Sequence, residues 1–259
     1  MDFTHIHVEQ MESVAILTLD HPPANALSQP TFSGLTEALD YVEKEASVKV
    51  IILKGNGKFF AAGADIKEFT TVSSAAESVQ MAKIGQQVFA RMEAFSKPII
   101  AAIHGAALGG GLELAMACHI RFATPTAKLG LPELNLGLIP GFAGTQRLPK
   151  LIGKAKALEL LFTSLPISGE EAQRLGLVNQ CFAEEELFDK VLAFAQAVAS
   201  KSAISLSYLL EAIRVGEEEG MAAGSEKEAE LFGHIFETYD AKEGIQAFIE
   251  KRKPIFKDK

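Results

Sequence analysis

A run of glycines beside a glutamate is the first feature of this sequence that could do chemistry. Gly109, Gly110 and Gly111 precede Glu113 within 98–118, the most apolar segment of the chain. Glycine loses more backbone entropy on folding than any other residue, and burying a carboxylate is destabilising unless it is paired. Glycines that end a strand and open a helix leave backbone N–H groups without partners, and such groups bind an anionic oxygen. The combination predicts a site that stabilises negative charge beside an acid.

Two further stretches extend this hypothesis. The small residues of AAGAD at 61–65 offer a second backbone N–H group, at Ala64, and Glu133 in the loop 132–137 offers a second carboxylate. Two N–H groups that converge on one oxygen form an oxyanion hole, where the loss of one donor costs about 10²–10³-fold in rate. A pair of carboxylates most often serves as an acid and a base. From pattern alone the alternatives stay open, because glycines also permit tight packing and loop glutamates are usually solvated.

Other catalytic and binding motifs are missing from the sequence. No glycine-rich stretch reads GxGxxG between a strand and a helix, and GxxxxGK[ST], GxSxG and HExxH do not occur. The six histidines lack the spacing of metal ligands, so we expect no metal site. Cys118 and Cys181 have no CxxC spacing, and we expect both to be reduced, buried thiols.

Charge and hydropathy exclude several classes of protein. The formal net charge is −8 over 259 residues, which argues against a nucleic-acid surface. The segment 98–118 has about the length of a membrane span, but Pro98, His104 and Glu113 interrupt it and no second span follows. Residues 1–10 show no pattern of secretion or organelle import. We therefore expect a cytoplasmic globular protein that binds neither nucleic acid nor a membrane.

Alternating strands and helices must position these residues. Apolar patterns of strand length lie at 4–10, 13–20 and 48–55, and stripes of helical period lie at about 31–46 and 75–95. Within 98–118 the pattern changes from β-like PIIAAIHG to helix-like GGLELAMAC, which predicts a buried strand, a tight turn and a buried helix. The order strand, strand, helix repeats about three to four times and indicates an α/β core. From about residue 150 onwards the chain reads as successive helices.

The apolar stripes also predict which faces of the two long helices are buried. On the first helix the stripe consists of Phe32, Leu35, Leu39 and Val42. On the second helix we expect these residues on the inner side: Val79, Ile84, Val88, Met92 and Phe95.

Taken together, the glycine-rich stretches and their surroundings resemble the enoyl-CoA hydratase (crotonase) family. The matching segments are LDHPPANALS, KFFAAGADIKEF, KPIIAAIHGAALGGGLELAMACHIRFA, AKLGLPELNLGLIPGFAGTQRLP, ISGEEAQRLGLVNQ and FIEKRKPIF, in that order over essentially the whole chain. The resemblance implies an α/β fold, a spiral of ββα turns with a C-terminal helical trimerisation region. The catalytic core would span 1–195 and the oligomerisation region 196–259, assembled as a homotrimer or a homohexamer.

The resemblance also implies roles for individual residues. The backbone N–H groups of Ala64 and Gly110 would form the oxyanion hole, Glu113 would activate water, and Glu133 would exchange a proton at Cα. Residues that would bind the coenzyme A portion of the substrate are Ala24, Ala62, Asp65, Ile66 and Lys67. Gly141 would help to hold the reacting water. Ala143 stands where many relatives have glycine and Phe142 is bulkier than some counterparts, a departure that concerns acyl-chain length and branching.

The implied activity is the addition of water to the double bond of 2-enoyl-CoA thioesters, giving 3-hydroxyacyl-CoA as in fatty-acid β-oxidation. No cofactor is implied, because coenzyme A is part of the substrate. The alternatives are another reaction of the same family, such as enoyl-CoA isomerisation or hydration of 3-methylglutaconyl-CoA, and a non-catalytic binding or RNA-associated protein on the same fold. Having two glutamates favours hydration over single-acid isomerisation, and the acidic charge argues against RNA.

Overall fold

Ten strands form two sheets in the structure, a computed structural model that describes residues 1–259. The strands are β1 (Asp2–Phe3), β2 (Ile6–Met11), β3 (Val14–Leu19), β4 (Val50–Gly55), β5 (Ile99–Ile103), β6 (Ala106–Leu108), β7 (Ile120–Ala123), β8 (Lys128–Gly130), β9 (Ile167–Ser168) and β10 (Gln180–Cys181). Seven of them form one sheet in the order β1-β2-β3-β4-β5-β7-β10, and the other three form a small sheet in the order β6-β8-β9.

Eleven α-helices and one 3₁₀ turn, at Glu133–Leu136, surround these sheets. The helices are α1 (Gln29–Lys44), α2 (Ile66–Phe69), α3 (Ala75–Glu93), α4 (Gly110–Met116), α5 (Gly144–Ile152), α6 (Lys154–Thr163), α7 (Gly169–Arg174), α8 (Glu184–Ala199), α9 (Ala203–Glu219), α10 (Met221–Glu237) and α11 (Tyr239–Ile249).

The two sheets arise from repeated ββα turns of a spiral. β3, β4, β5 and β7 lie side by side and parallel in the larger sheet, while β6 and β8, which follow β5 and β7 along the chain, pair in the small sheet. An isolated parallel bridge from Ala61 to Ala107 continues the small layer back to the stretch after β4. Each turn therefore contributes one segment to each layer. The predicted spiral of ββα turns is confirmed.

The larger sheet has an apolar core on both faces. Ile51 and Leu53 of β4 belong to the main core, which also holds α1 and α3, while Val50 and Ile52 face a second core covered by α8. Successive side chains of a strand point to opposite faces, so a strand that is covered on both faces reads as one continuous apolar run. This burial explains the uninterrupted pattern of VIIL at 50–53.

The long helices follow their predictions with one exception. All four stripe residues of α1 are buried: Phe32, Leu35, Leu39 and Val42. In α3 the deeply buried residues are Gly85, Phe89 and Met92, whereas Val79 is 52 % exposed. The prediction that Val79 faces inwards is wrong because the first turns of α3 extend beyond the edge of the core.

The apolar segment 98–118 folds as predicted, into the buried strand β5, a turn, the short strand β6 and the buried helix α4. This apolar segment is therefore divided among three elements of the core and does not form one long helix. No helix of the structure combines the length and the apolar character that crossing a bilayer requires.

The C-terminal part is helical, as predicted, apart from the two-residue strands β9 and β10. The predicted boundary between 195 and 196 lies inside α8, since Ala195 and Ala199 both pack in the second core. The division into two regions stays a prediction. Beyond α8, large apolar side chains are exposed on α9, α10 and α11: Leu209, Ile213, Met221, Phe232, Phe236, Ile245, Phe248 and Ile249.

Candidate active site

The glycine run lies at the junction of β6 and α4. Gly109 has φ 50° and ψ −127°, a conformation that strongly favours glycine. A Cβ atom at Gly109 would lie 2.9 Å from Oε1 of Glu133, and one at Gly111 would lie 2.1 Å from the carbonyl oxygen of Ala61. The glycines therefore let the start of α4 approach both the 61–65 stretch and the Glu133 carboxyl group.

Ala64 and Gly110 both line a cavity of about 410 Å³. The backbone around Ala64 is fixed because the Asp65 N–H donates to the Leu27 carbonyl at 2.8 Å. A Cβ atom at Gly110 would lie 3.3 Å from the Ala64 amide nitrogen, so the two residues are neighbours. Neither N–H group donates to another backbone group. Two free N–H donors therefore border the same cavity.

Glu113 lines this cavity from α4 and is 1 % exposed. Its Oε1 accepts hydrogen bonds from the N–H groups of Phe142, at 2.9 Å, and Gly144, at 2.6 Å. Gly144 is the first residue of α5, so the carboxyl group also faces the positive end of a helix dipole. Burial nevertheless raises the pKa of Glu113 to about 7, with the Gly144 N–H opposing the rise and the Glu133 charge adding to it.

Glu133 lines the same cavity from the start of the 3₁₀ turn. It is half-buried, and burial raises its pKa above the usual value of a glutamate. Its Oε2 is buried and has no hydrogen-bond partner within the protein. Buried polar atoms are almost always satisfied, so a free carboxyl oxygen in a cavity indicates a site for a bound group. Two acids with raised pKa values therefore share one cavity with two free N–H donors.

Residues 9–259 match the family described as Enoyl-CoA hydratase/isomerase. The chain belongs to this family. A probable enoyl-CoA hydratase of Bacillus subtilis is 57 % identical over 245 residues, covering 94 % of this chain and 95 % of that protein. The crotonyl-CoA hydratase of Syntrophomonas wolfei is 42 % identical over 258 residues, covering 99 % of each chain.

Solved structures of the enoyl-CoA hydratase/isomerase family share the fold. The crystal structure of an enoyl-CoA hydratase from Bacillus anthracis superposes with a TM-score of 0.94 at 37 % identity, covering 98 % of this chain and 100 % of that chain. An enoyl-CoA hydratase from Geobacillus kaustophilus gives a TM-score of 0.96 at 31 % identity, covering 100 % and 98 %. The family named from its motifs is confirmed.

The remaining predicted substrate contacts are placed in two groups. Ala62, Ile66 and Gly141 line the cavity, and the carbonyl oxygen of Ala24 accepts from the Ala62 N–H at 3.0 Å, which places Ala24 next to it. Asp65 and Lys67 do not line the cavity. The Asp65 side chain caps α2 by accepting from the Lys67 N–H at 3.0 Å, and the Lys67 side chain is exposed.

The groups that hold Glu113 were not foreseen from the sequence. The N–H groups of Phe142 and Gly144 point at its carboxyl group because Ala143 between them adopts a left-handed φ of 70°. Arg147 fixes this loop by donating to the Phe142 carbonyl at 2.6 Å and to both carboxylate oxygens of Glu93 at 2.7 and 2.6 Å.

Arg147 is the one feature of the sequence that could have indicated this network. The motif GFAGTQRL at 141–148 contains a cation one helical turn after a glycine-rich turn. What the sequence alone does not show is that Glu93, 54 residues earlier, is the partner.

Proposed function

We propose that this chain catalyses the hydration of 2-enoyl-CoA thioesters to 3-hydroxyacyl-CoA. The observation that carries the proposal is the single cavity bordered by Glu113, Glu133 and the free N–H groups of Ala64 and Gly110. Membership of the enoyl-CoA hydratase/isomerase family supports an acyl-CoA substrate. The names of its relatives, a crotonyl-CoA hydratase and a short-chain-enoyl-CoA hydratase, support hydration as the reaction.

The two N–H groups would stabilise the negative charge that develops on the thioester oxygen. When water attacks C3 of a 2-enoyl thioester, electron density moves through C2 and the carbonyl carbon onto this oxygen. The donors at Ala64 and Gly110 need no change of protonation state to stabilise it, and they are fixed before the reaction begins. They stabilise the enolate-like transition state more than the neutral thioester.

The two carboxyl groups would move the protons. Glu113 accepts a proton from the attacking water as the O–C3 bond forms, and Glu133 donates a proton to C2 as the enolate collapses. The overall change adds one water across the double bond, and proton exchange with solvent restores both acids. Raised pKa values suit this task, because general acid–base catalysis is most efficient when the pKa lies near the working pH. The presence of two acids favours hydration over isomerisation by a single acid.

We further propose the finer assignments that the family resemblance implies. Coenzyme A would lie along the stretch from Ala62 to Lys67 beside Ala24, with the Gly141 N–H near the reacting water. The exposed apolar residues of α9, α10 and α11 support assembly as a homotrimer or homohexamer, because such an extended apolar surface is usually covered by protein. A cytoplasmic location, a place in fatty-acid β-oxidation and activity without an added cofactor complete this proposal.

Substitution of each acid by glutamine tests the reaction. Glu133→Gln and Glu113→Gln should each lower kcat for crotonyl-CoA hydration by about 10²–10⁴-fold while leaving binding of the thioester largely intact. The matched control is Glu37→Gln, because Glu37 is exposed on α1 and makes no side-chain hydrogen bond. Full activity in either active-site variant would rule out the two-carboxylate mechanism.

A further inference from the structure

Phe142 forms the buried end of the catalytic cavity. The apolar residues around the cavity differ sharply in exposure: Leu136, Leu138 and Ile139 are exposed on its rim, whereas Phe142 is 5 % exposed. Phe142 also follows Gly141 directly, and its own N–H holds Glu113. The aromatic ring therefore stands beside the reacting groups, at the end of the cavity that is closed to solvent.

Two glycines and two aromatic rings hold the Phe142 ring in place. A Cβ atom at Gly85 of α3 would lie 2.3 Å from its Cδ1, and one at Gly110 would lie 3.0 Å from its Cε2. The rings of Phe32 and Phe89 meet it edge-on, with centroids 5.2 and 5.7 Å away. A ring packed on so many sides has no free rotamer to adopt when a ligand presses against it.

A second, very small cavity lies behind this ring. Its volume is about 10 Å³, roughly the space of one water molecule. Four residues border both cavities: Ala64, Phe69, Met81 and Phe142. The rest of its lining is the apolar residues Leu27, Phe32 and Ile84 together with Gln29 and Glu68. The Phe142 ring is thus a partition, and the space beyond it is too small for acyl carbons while the ring remains.

We propose that Phe142 restricts the enzyme to short-chain 2-enoyl-CoA substrates, because its fixed ring blocks the acyl tail beyond C3. This inference rests on the proposed function. A hydrophobic pocket discriminates by about 10–200-fold against a substrate with one methylene more than it can accept. Crotonyl-CoA ends before the ring, whereas 2-octenoyl and 2-decenoyl chains meet it.

The test compares kcat/KM for crotonyl-, 2-hexenoyl-, 2-octenoyl- and 2-decenoyl-CoA. In the wild-type enzyme we expect 2-decenoyl-CoA to be hydrated at least about tenfold less efficiently than crotonyl-CoA. In Phe142→Ala, and to a smaller extent in Phe142→Leu, the ratio of the two values should rise by about tenfold or more. The backbone N–H of residue 142 is retained in both variants, so Glu113 keeps its partner.

Two further variants separate specificity from packing. Phe95→Leu is the matched control for Phe142→Leu, since Phe95 is a buried ring of the same core that borders neither cavity. It should leave the chain-length ratio unchanged. Ile84→Phe added to Phe142→Ala refills the space behind the partition, because Ile84 borders only the small cavity. This double variant should return the ratio towards the wild-type value.

Specific outcomes would overturn the inference. If the wild-type enzyme hydrates 2-decenoyl-CoA as efficiently as crotonyl-CoA, the acyl tail leaves by the exposed rim and Phe142 sets no limit. Variants that lower all substrates equally would show that the ring is only structural. If both Phe142 variants fail to fold, the wild-type profile alone decides. A wild-type enzyme that hydrates no enoyl-CoA would instead refute the proposed function, a different result from an unexpected chain-length profile.

Discussion

Glu113→Gln should make the protein more stable above neutral pH although it lowers kcat by orders of magnitude. Glu113 is almost completely buried, and its Oε1 already accepts two backbone hydrogen bonds. The carbonyl oxygen of a glutamine can accept the same two bonds, and its NH₂ group would point into the cavity. The substitution therefore removes a titratable charge while it preserves the contacts that hold the side chain.

The magnitude follows from the pKa of Glu113. Burial raises this pKa from 4.5 to about 7, and one pKa unit corresponds to about 1.4 kcal/mol. Below pH 4.5 the carboxyl group is protonated in the folded and the unfolded chain, so it contributes no difference. As the pH rises from 4.5 to about 7, the carboxyl group ionises in the unfolded chain but stays protonated in the folded chain. The folded state therefore loses about 3 kcal/mol relative to the unfolded state over this range. Glutamine does not titrate, so the variant escapes this loss.

Urea unfolding at about pH 5 and about pH 8 measures this effect. The free energy of unfolding of Glu113→Gln, minus that of the wild-type protein, should rise by about 2–3 kcal/mol between these conditions. Protein concentration must be held constant because an oligomer is stabilised by mass action. Glu37→Gln serves as the control, since an exposed glutamate should give a pH dependence parallel to that of the wild-type protein.

Parallel stability curves for wild-type protein and Glu113→Gln would refute the reasoning. They would mean that the two N–H donors and the helix dipole of α5 fully offset the cost of burial. The carboxylate would then stay ionised at neutral pH in the folded protein. In that case Glu113 could still accept a proton from the attacking water, and only the pH-dependent loss of stability would be absent.

Two other substitutions probe how Glu113 is held. In Gly144→Ala a Cβ atom would lie 2.8 Å from Oε1 of Glu113, so kcat for crotonyl-CoA hydration should fall by about tenfold or more while KM changes little; an unchanged kcat would show that the acid tolerates displacement. In Arg147→Met the loop carbonyl of Phe142 and the Glu93 carboxylate lose their shared cation, and the positive charge that lowers the pKa of Glu113 disappears. The acidic limb of the pH–rate profile should therefore move to higher pH, with partial rescue by Arg147→Lys, and an unmoved profile would leave Arg147 a purely structural role.

The spacing of apolar residues, and the free-energy cost of certain residue types in an apolar segment, explain what the sequence could predict. α1 was foreseen because its buried residues recur at helical spacing, and β4 because a strand covered on both faces reads as continuous apolar sequence. Gly110 and Glu113 were predicted as site residues for another reason. Each is unfavourable in an apolar segment unless it serves a purpose, and the structure places both on the cavity that we propose as the active site.

Contacts between distant parts of the chain explain what the sequence could not predict. The Glu113 carboxyl group is held by Gly144, 31 residues later, and the loop around it by an ion pair between Arg147 and Glu93. Contacts between residues so far apart along the chain leave no local pattern in the sequence. The prediction for Val79 was wrong for a related reason. The helical period shows which residues share a face, but not how far the neighbouring core extends along the helix.

The register of the small layer accounts for the convergence of the site. Ala61 bridges Ala107, and Ala107 pairs with Leu129, so three successive turns of the spiral are aligned side by side. Counting three residues beyond Ala61 and Ala107 reaches Ala64 and Gly110, the two N–H donors, and four beyond Leu129 reaches Glu133.

Neighbouring segments of consecutive turns therefore bring Ala64, Gly110 and Glu133 to one cavity. A slip of one residue in any turn would turn its side chains to the opposite face and move its donor or acid by about 3.3 Å, enough to break hydrogen-bond geometry. Close packing of β4 and β5 between the two cores opposes such a slip, because each buried side chain fills a space of its own size on one face of the larger sheet. Packing far from the substrate thus sets the geometry on which the proposed chemistry depends.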